Sequence, residues 1–154
     1  MWDKLAEYAA KQGILLSSQA IQLFSQYYHL LTEGNKQVNL TRITDPNEVV
    51  IKHVLDSLEL QVLLQQMPSP VLDVGSGAGL PGLALKIANP EIQLTLLDSS
   101  QKKVAFMQET SQQLLLEHVN AIHGRAEDYG RDPQYRERFP LVVSRAVARL
   151  NVLV

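Results

Sequence analysis

The hydrophobic rhythm of the chain changes near residue 70. Before that point apolar residues recur every three or four positions. After it, short apolar runs alternate with longer amphipathic stretches. The first regime predicts helices, and the second predicts strands joined by helices. Residues 3–12 form a short amphipathic segment that ends at Gly13. Ser17 or Ser18 then caps a helix carrying Ile21, Phe24, Tyr28 and Leu31 on one face and ending near Gly34. A third helix has Asp45 at its N-cap, Pro46 at the first helical position and Glu48 completing a capping box. Val50, Val54, Leu58 and Val62 give it an apolar stripe, and Met67-Pro68-Ser69-Pro70 stops it.

From Val71 onward the pattern predicts strands at 71–75, 93–98, 119–123 and 140–144, with helices near 81–88 and 100–117. Alternation of this kind makes a parallel sheet with right-handed crossovers, and four such strands order as 3-2-1-4. The expected fold class is α/β: a Rossmann-like, partial parallel sheet behind an N-terminal helical lobe. The lobe is expected over residues 1–68 and the sheet over 69–154. A sheet of this type normally continues for two or three more strands. The chain is therefore expected to hold the N-terminal part of such a domain, with the C-terminal strands missing.

Chemistry concentrates in Val71-Leu-Asp-Val-Gly-Ser-Gly-Ala-Gly-Leu80. A buried strand runs into Gly75, Gly77 and Gly79 at alternate positions, with Asp73 two residues ahead of the first. Glycine turns a chain at positive φ and lets backbone approach a ligand where a Cβ would collide. A helix opening at Leu80-Pro81-Gly82 would point its first N–H groups at whatever lies over the loop. A dinucleotide fingerprint needs its third glycine one residue later, where Leu80 stands. The spacing D-x-G-x-G-x-G resembles instead the first motif of S-adenosylmethionine-dependent methyltransferases. In that setting Asp73 faces the cationic end of the ligand. Leu94-Thr-Leu-Leu-Asp98 ends the next strand in an acid, which can accept both hydroxyls of an adenosine ribose, cap the following helix, or do both.

Composition narrows the class further. Hydrophobic residues make up 45% of the chain and charged residues 19%, the balance of a globular protein. No apolar run approaches the ~20 residues of a bilayer span. The absence of cysteine removes disulfides, thiolate nucleophiles and cysteine metal sites. His29, His118 and His123 show no ligand spacing, so no metal is expected. These features fit a cytoplasmic protein with no membrane partner. The net charge of -2 is a poor footprint for nucleic acid, although six of the seven arginines follow residue 124.

Seven segments carry a narrower resemblance. They are Asn39-Leu-Thr41, Asp45-Pro-Asn-Glu48, His53-Val-Leu-Asp-Ser57, Asp73 through Gly82, Leu96-Leu-Asp-Ser99, Gly124-Arg-Ala-Glu-Asp128 and Ser144-Arg-Ala146. In order and spacing they resemble the glucose-inhibited division protein B family, the small-subunit ribosomal RNA methyltransferases G. Over roughly residues 20–150 the resemblance implies an enzyme using S-adenosyl-L-methionine to form N7-methylguanosine. Its substrate would be small-subunit ribosomal RNA, free or in the assembled subunit. It also implies cofactor contacts at Gly75 and Leu80, adenine contacts at Ala126 and Glu127, and Arg145 near methyl donor and target. From the residues alone the alternatives are a first-turn helix acid for Glu127 and a structural pairing with a carboxylate such as Asp73 for Arg145. His53 and Asp56, at i and i+3, either cap neighbouring loops or shape an active-site wall.

Guanine N7 has an in-plane lone pair and no proton, so methyl transfer to it needs no acid or base. The lack of an obvious general base agrees with that chemistry. So does the lack of an Asn-Pro-Pro-Tyr segment after the fourth strand, which exocyclic-amine methylation would require. The rival classes are a non-catalytic cofactor- or RNA-binding fragment and, opposed by Leu80, a nicotinamide-dependent oxidoreductase.

Overall fold

The computed structural model describes residues 2–40, 45–64 and 66–144. Its four strands, β1 (Val71–Val74), β2 (Leu94–Asp98), β3 (Val119–His123) and β4 (Leu141–Ser144), form one sheet in the order β3-β2-β1-β4. All three pairings are parallel, and Asp73 stands level with Leu96 on one side and Val143 on the other. This is the expected α/β sheet in the expected order.

Seven α-helices accompany it among the described residues. They are α1 (Trp2–Lys11), α2 (Ser18–Asn35), α3 (Pro46–Glu48), α4 (Asp56–Leu63), α5 (Gly82–Ala88), α6 (Gln101–Gln113) and α7 (Ala126–Arg131). Val71, Asp73, Leu94, Leu96, Ala121 and Val143 point to one face of the sheet and are buried. Helices α5 and α6 cover that face, and α2 and α4 pack on the outer side of α5. Gly82 through Ile87 are consequently all buried, as expected of a short apolar helix enclosed on every side. One core thus joins Leu5, Phe24 and Leu58 of the N-terminal helices to Leu83 and Leu94.

Lys86 sits inside that layer, 1% exposed. Its ammonium donates to Pro90 O at 2.6 Å and Ile92 O at 2.5 Å, tying α5 to the turn before β2. Burial lowers its pKa below the ordinary lysine value, and Glu117 opposes the shift. The opposite face of the sheet, with Leu72, Thr95, Leu97 and Val142, borders an apolar groove of about 360 Å³ walled by Tyr129, Tyr135 and Phe139.

Local chemistry explains where the helices begin. Ser17 caps α2 by accepting the Ala20 N–H at 3.0 Å, and Asp45 Oδ1 accepts the Asn47 N–H at 2.8 Å ahead of α3. Several expectations need correction. On α2 the fully buried tyrosine is Tyr27, whereas Tyr28 is half-buried with its ring 5.9 Å from that of Trp2. The third helix is not uniform: Val49–Leu55 is π-helical between α3 and α4. Its apolar stripe ends early, with Val54 and Leu58 buried and Val62 49% exposed. Four-residue steps advance the side chain by about 40° beyond a full turn, so Val62 has drifted off the packed face. The side chain of Val50 lies outside the described residues.

Helix α6 stops at Gln113, short of the expected 117. The N–H groups of Leu115 and Leu116 return to Gln112 O at 3.1 Å and Ser111 O at 3.0 Å, a Schellman ending. Leu115 takes the left-handed position at φ 56 that glycine usually fills. The hydrophobic pattern predicts no helix at 126–131; the one sequence sign of α7 is Glu127, which the structure places in its first turn.

Candidate cofactor site

The loop between β1 and α5 is held by hydrogen bonds within itself and to β1, β2 and α2. Gly75 N–H donates to Leu97 O at 2.7 Å, and Gly79 N–H donates to Ser76 O at 2.9 Å. Ser76 Oγ donates to Asp73 O at 2.9 Å. Gly77 N–H donates to Asp98 Oδ2 at 2.8 Å, and Tyr27 on α2 donates its hydroxyl to Ala78 O at 2.6 Å. Gly75, Gly77 and Gly79 all take positive φ, at 72°, 60° and 98°. Side chains other than glycine would strain this turn at three points.

Asp98, at the end of β2, is 7% exposed. Its Oδ1 accepts the Ser100 N–H at 2.8 Å while Oδ2 holds Gly77. Ser100 is the N-cap of α6, its Oγ accepting the Lys103 N–H at 3.4 Å. Asp98 therefore braces both the glycine loop and the start of α6. Each carboxylate oxygen has a second lone-pair direction for a ligand hydroxyl.

A cleft of about 650 Å³ opens at the carboxyl ends of β1, β2 and β3. Gly75, Asp98, His123, Arg125, Ala126 and Glu127 are among its lining residues. The volume falls within the range of small-molecule sites, and the location is where open α/β sheets bind ligands. His123 Nε2 lies 3.0 Å from Ser99 O, joining the ends of β3 and β2 along the cleft floor. A Cβ built on Gly77 meets no heavy atom within 4 Å, so the space above that residue is open.

Three expectations about the loop change. Asp73 is 0% exposed and does not line the cleft; its Oδ2 accepts the Gly82 N–H at 2.8 Å. Its carboxylate braces the start of α5 from beneath the loop and does not face a ligand from the cleft. Leu80 is likewise buried in the core and absent from the lining. The first N–H groups of α5 are also engaged within the protein, Gly82 with Asp73 and Leu83 with Gly79 O at 2.6 Å. A Cβ on Gly82 would stand 2.8 Å from both Asp73 Oδ2 and Leu96 Cδ2. Gly82→Ala is thus expected to lower stability by about 1–3 kcal/mol through overpacking, read as a drop in the denaturant midpoint.

Comparison with known proteins decides the family. Residues 20–154 match the model of the GidB family, described as rRNA small subunit methyltransferase G. The chain belongs to the rRNA small subunit methyltransferase G family. It is 47% identical over 144 residues to the ribosomal RNA small subunit methyltransferase G of Leuconostoc citreum, covering 92% of this chain and 60% of that one. To the protein of the same name from Thermoanaerobacter sp. it is 46% identical over 153 residues, covering 99% of this chain and 64% of that one. The chain thus spans less than two thirds of the length of these curated relatives. A solved protein-L-isoaspartate O-methyltransferase superposes with a TM-score of 0.56 at 14% identity, over 94% of this chain and 47% of that one. That likeness is one of fold, a Rossmann-like methyltransferase sheet.

Within this member of the family, the structure gathers Gly75, Asp98, Ala126 and Glu127 around one cleft. Gly77 and Gly79 shape the loop at its edge. Arg145 and Thr41 lie outside the described residues. His53 belongs to the π-helical stretch and Asp56 begins α4, and neither lines the cleft. Tyr27 was missed because nothing local marks it. Its bond to Ala78 spans 51 residues of sequence.

Proposed function

We propose that the protein is an S-adenosylmethionine-dependent methyltransferase that forms N7-methylguanosine in small-subunit ribosomal RNA. The observation that carries this reading is Asp98, which ends β2 on the cleft wall and grips the glycine loop through Gly77. Together they offer a carboxylate for ribose hydroxyls beside a turn that leaves open space for a ligand. The backbone N–H of Ala126 and the carboxylate of Glu127 stand across the cleft, suited to the edge of an adenine ring. When bound, the cofactor supplies an electrophilic sulfonium methyl group.

The chain's own task is positioning. Guanine N7 needs no deprotonation, so the residues must hold donor and acceptor in line and exclude water. Such placement is worth up to about 7–11 kcal/mol in favourable intramolecular systems. Arg145 follows β4 directly in sequence and is the residue that this reading, through the family resemblance, would put near methyl donor and guanine. A cytoplasmic location goes with a ribosomal substrate. Among the described residues no helix is long and apolar enough to cross a membrane.

The test is methyl transfer from labelled S-adenosylmethionine to small ribosomal subunits that lack N7-methylguanosine. Label recovered in that nucleoside is the expected result. Cofactor binding without transfer would favour a binding module, and binding of NADH in its place would favour an oxidoreductase.

A further inference from the structure

We infer that Tyr27 is a positioning residue for the cofactor: from α2, outside the cleft, it sets the posture of the glycine loop. The inference rests on the reading of that loop as the S-adenosylmethionine site. Tyr27 is 1% exposed and donates to Ala78 O at 2.6 Å, a short bond between two buried groups. The carbonyl of Ala78 and the N–H of Gly79 belong to the same peptide unit. That N–H donates to Ser76 O at 2.9 Å. The unit therefore cannot rotate without losing a bond on each side.

One residue earlier, Gly77 holds φ 60 with its N–H on Asp98. The turn is thus pinned from opposite sides, by β2 through Asp98 and by the N-terminal helices through Tyr27. The two pins act on adjacent residues and differ in kind. Asp98 lines the cleft and can touch a ligand, whereas Tyr27 does not line it and reaches the loop through the Ala78 carbonyl. Helix α2 also packs against α5 and α6, so the seating of the helical lobe is transmitted to the loop through this hydroxyl. Removing the hydroxyl leaves a buried carbonyl without this donor, and the 78–79 peptide relaxes toward solvent.

The deciding variants are Tyr27→Phe, which keeps the ring, and Phe24→Leu, which disturbs the same buried face of α2 one turn earlier and leaves the Tyr27 hydroxyl in place. Each is titrated with S-adenosylmethionine in the full chain, and exchange of the Gly77 and Gly79 amide hydrogens is followed by NMR. Emission from Trp2, the single tryptophan, reports unfolding of the lobe. Tyr27→Phe should weaken binding about tenfold and speed exchange at both glycines. Phe24→Leu should lower stability while leaving the dissociation constant unchanged. Unaltered affinity in folded Tyr27→Phe, unaltered glycine exchange, or an equal affinity loss in Phe24→Leu would each overturn the assignment. Failure of the wild-type protein to bind would remove the cofactor reading itself; wild-type binding with an indifferent Tyr27→Phe would remove only the role of Tyr27.

Discussion

Gly77→Val is expected to cut S-adenosylmethionine affinity by at least about 100-fold, roughly 2.8 kcal/mol, in a protein that still folds. Gly77 stands at φ 60, and a Cβ there meets no protein atom within 4 Å. A valine side chain would therefore project into open space at the edge of the cleft, where the proposed ligand would lie, and does not collide with the core. It also strains the turn, since a β-branched residue at positive φ costs about 1–3 kcal/mol. Gly77→Ala separates the two effects, because it keeps most of the strain and removes most of the bulk. Titration calorimetry beside denaturant unfolding measures both. Affinity equal to wild type in a folded Gly77→Val protein would show that no ligand lies over the loop.

Asp98→Ala carries the second large effect. The carboxylate accepts the Gly77 and Ser100 N–H groups, each at 2.8 Å, and bonds to a charged acceptor are worth about 1.5–3 kcal/mol. Its removal slackens the loop and takes away the acceptor for the ribose hydroxyls. Cofactor binding is expected to fall by two to three orders of magnitude, about 2.8–4.2 kcal/mol. A cofactor analogue lacking both ribose hydroxyls apportions the loss. If Asp98 holds the ribose, the analogue loses less affinity than the natural cofactor on mutation. Equal losses would assign the whole effect to the loop bond with Gly77.

What could be read from the sequence was whatever is encoded locally. The three glycines of the 71–80 segment, the acid ending the next strand and the strand order follow from spacing and alternation alone. Ser17 and Asp45 are recognisable as caps because a cap is satisfied within a few residues of itself. Contacts decided by packing were not legible. Tyr27 and Tyr28 both fit the apolar face of α2, and only the position of Ala78 across the fold selects the first. Leu115 ends α6 in a left-handed conformation where no glycine announced it. The π-helical Val49–Leu55 leaves no mark in a pattern read at a period of 3.6 residues.

The site shows the same division. Asp98 and Glu127 line the cleft, as their places after β2 and β3 suggest. Asp73 and Leu80 belong to the same motif yet are turned into the core, where Asp73 braces Gly82. Spacing identifies a motif, but it does not say which members face the ligand. For the two acids that depends on how far along its strand each stands: Asp73 lies inside β1, level with Leu96, whereas Asp98 is the last residue of β2 and reaches the cleft. Val71, Asp73 and their level neighbours Leu94 and Leu96 share the face covered by α5 and α6.

The central claim is that the cleft at the ends of β1, β2 and β3 holds S-adenosylmethionine, and calorimetric titration of the wild-type chain tests it most directly. The account predicts saturable one-to-one binding, displaced by S-adenosylhomocysteine and lost in Gly77→Val, with no comparable binding of NADH. A folded protein that gives no saturable signal with S-adenosylmethionine, or one that binds NADH in its place, would contradict it.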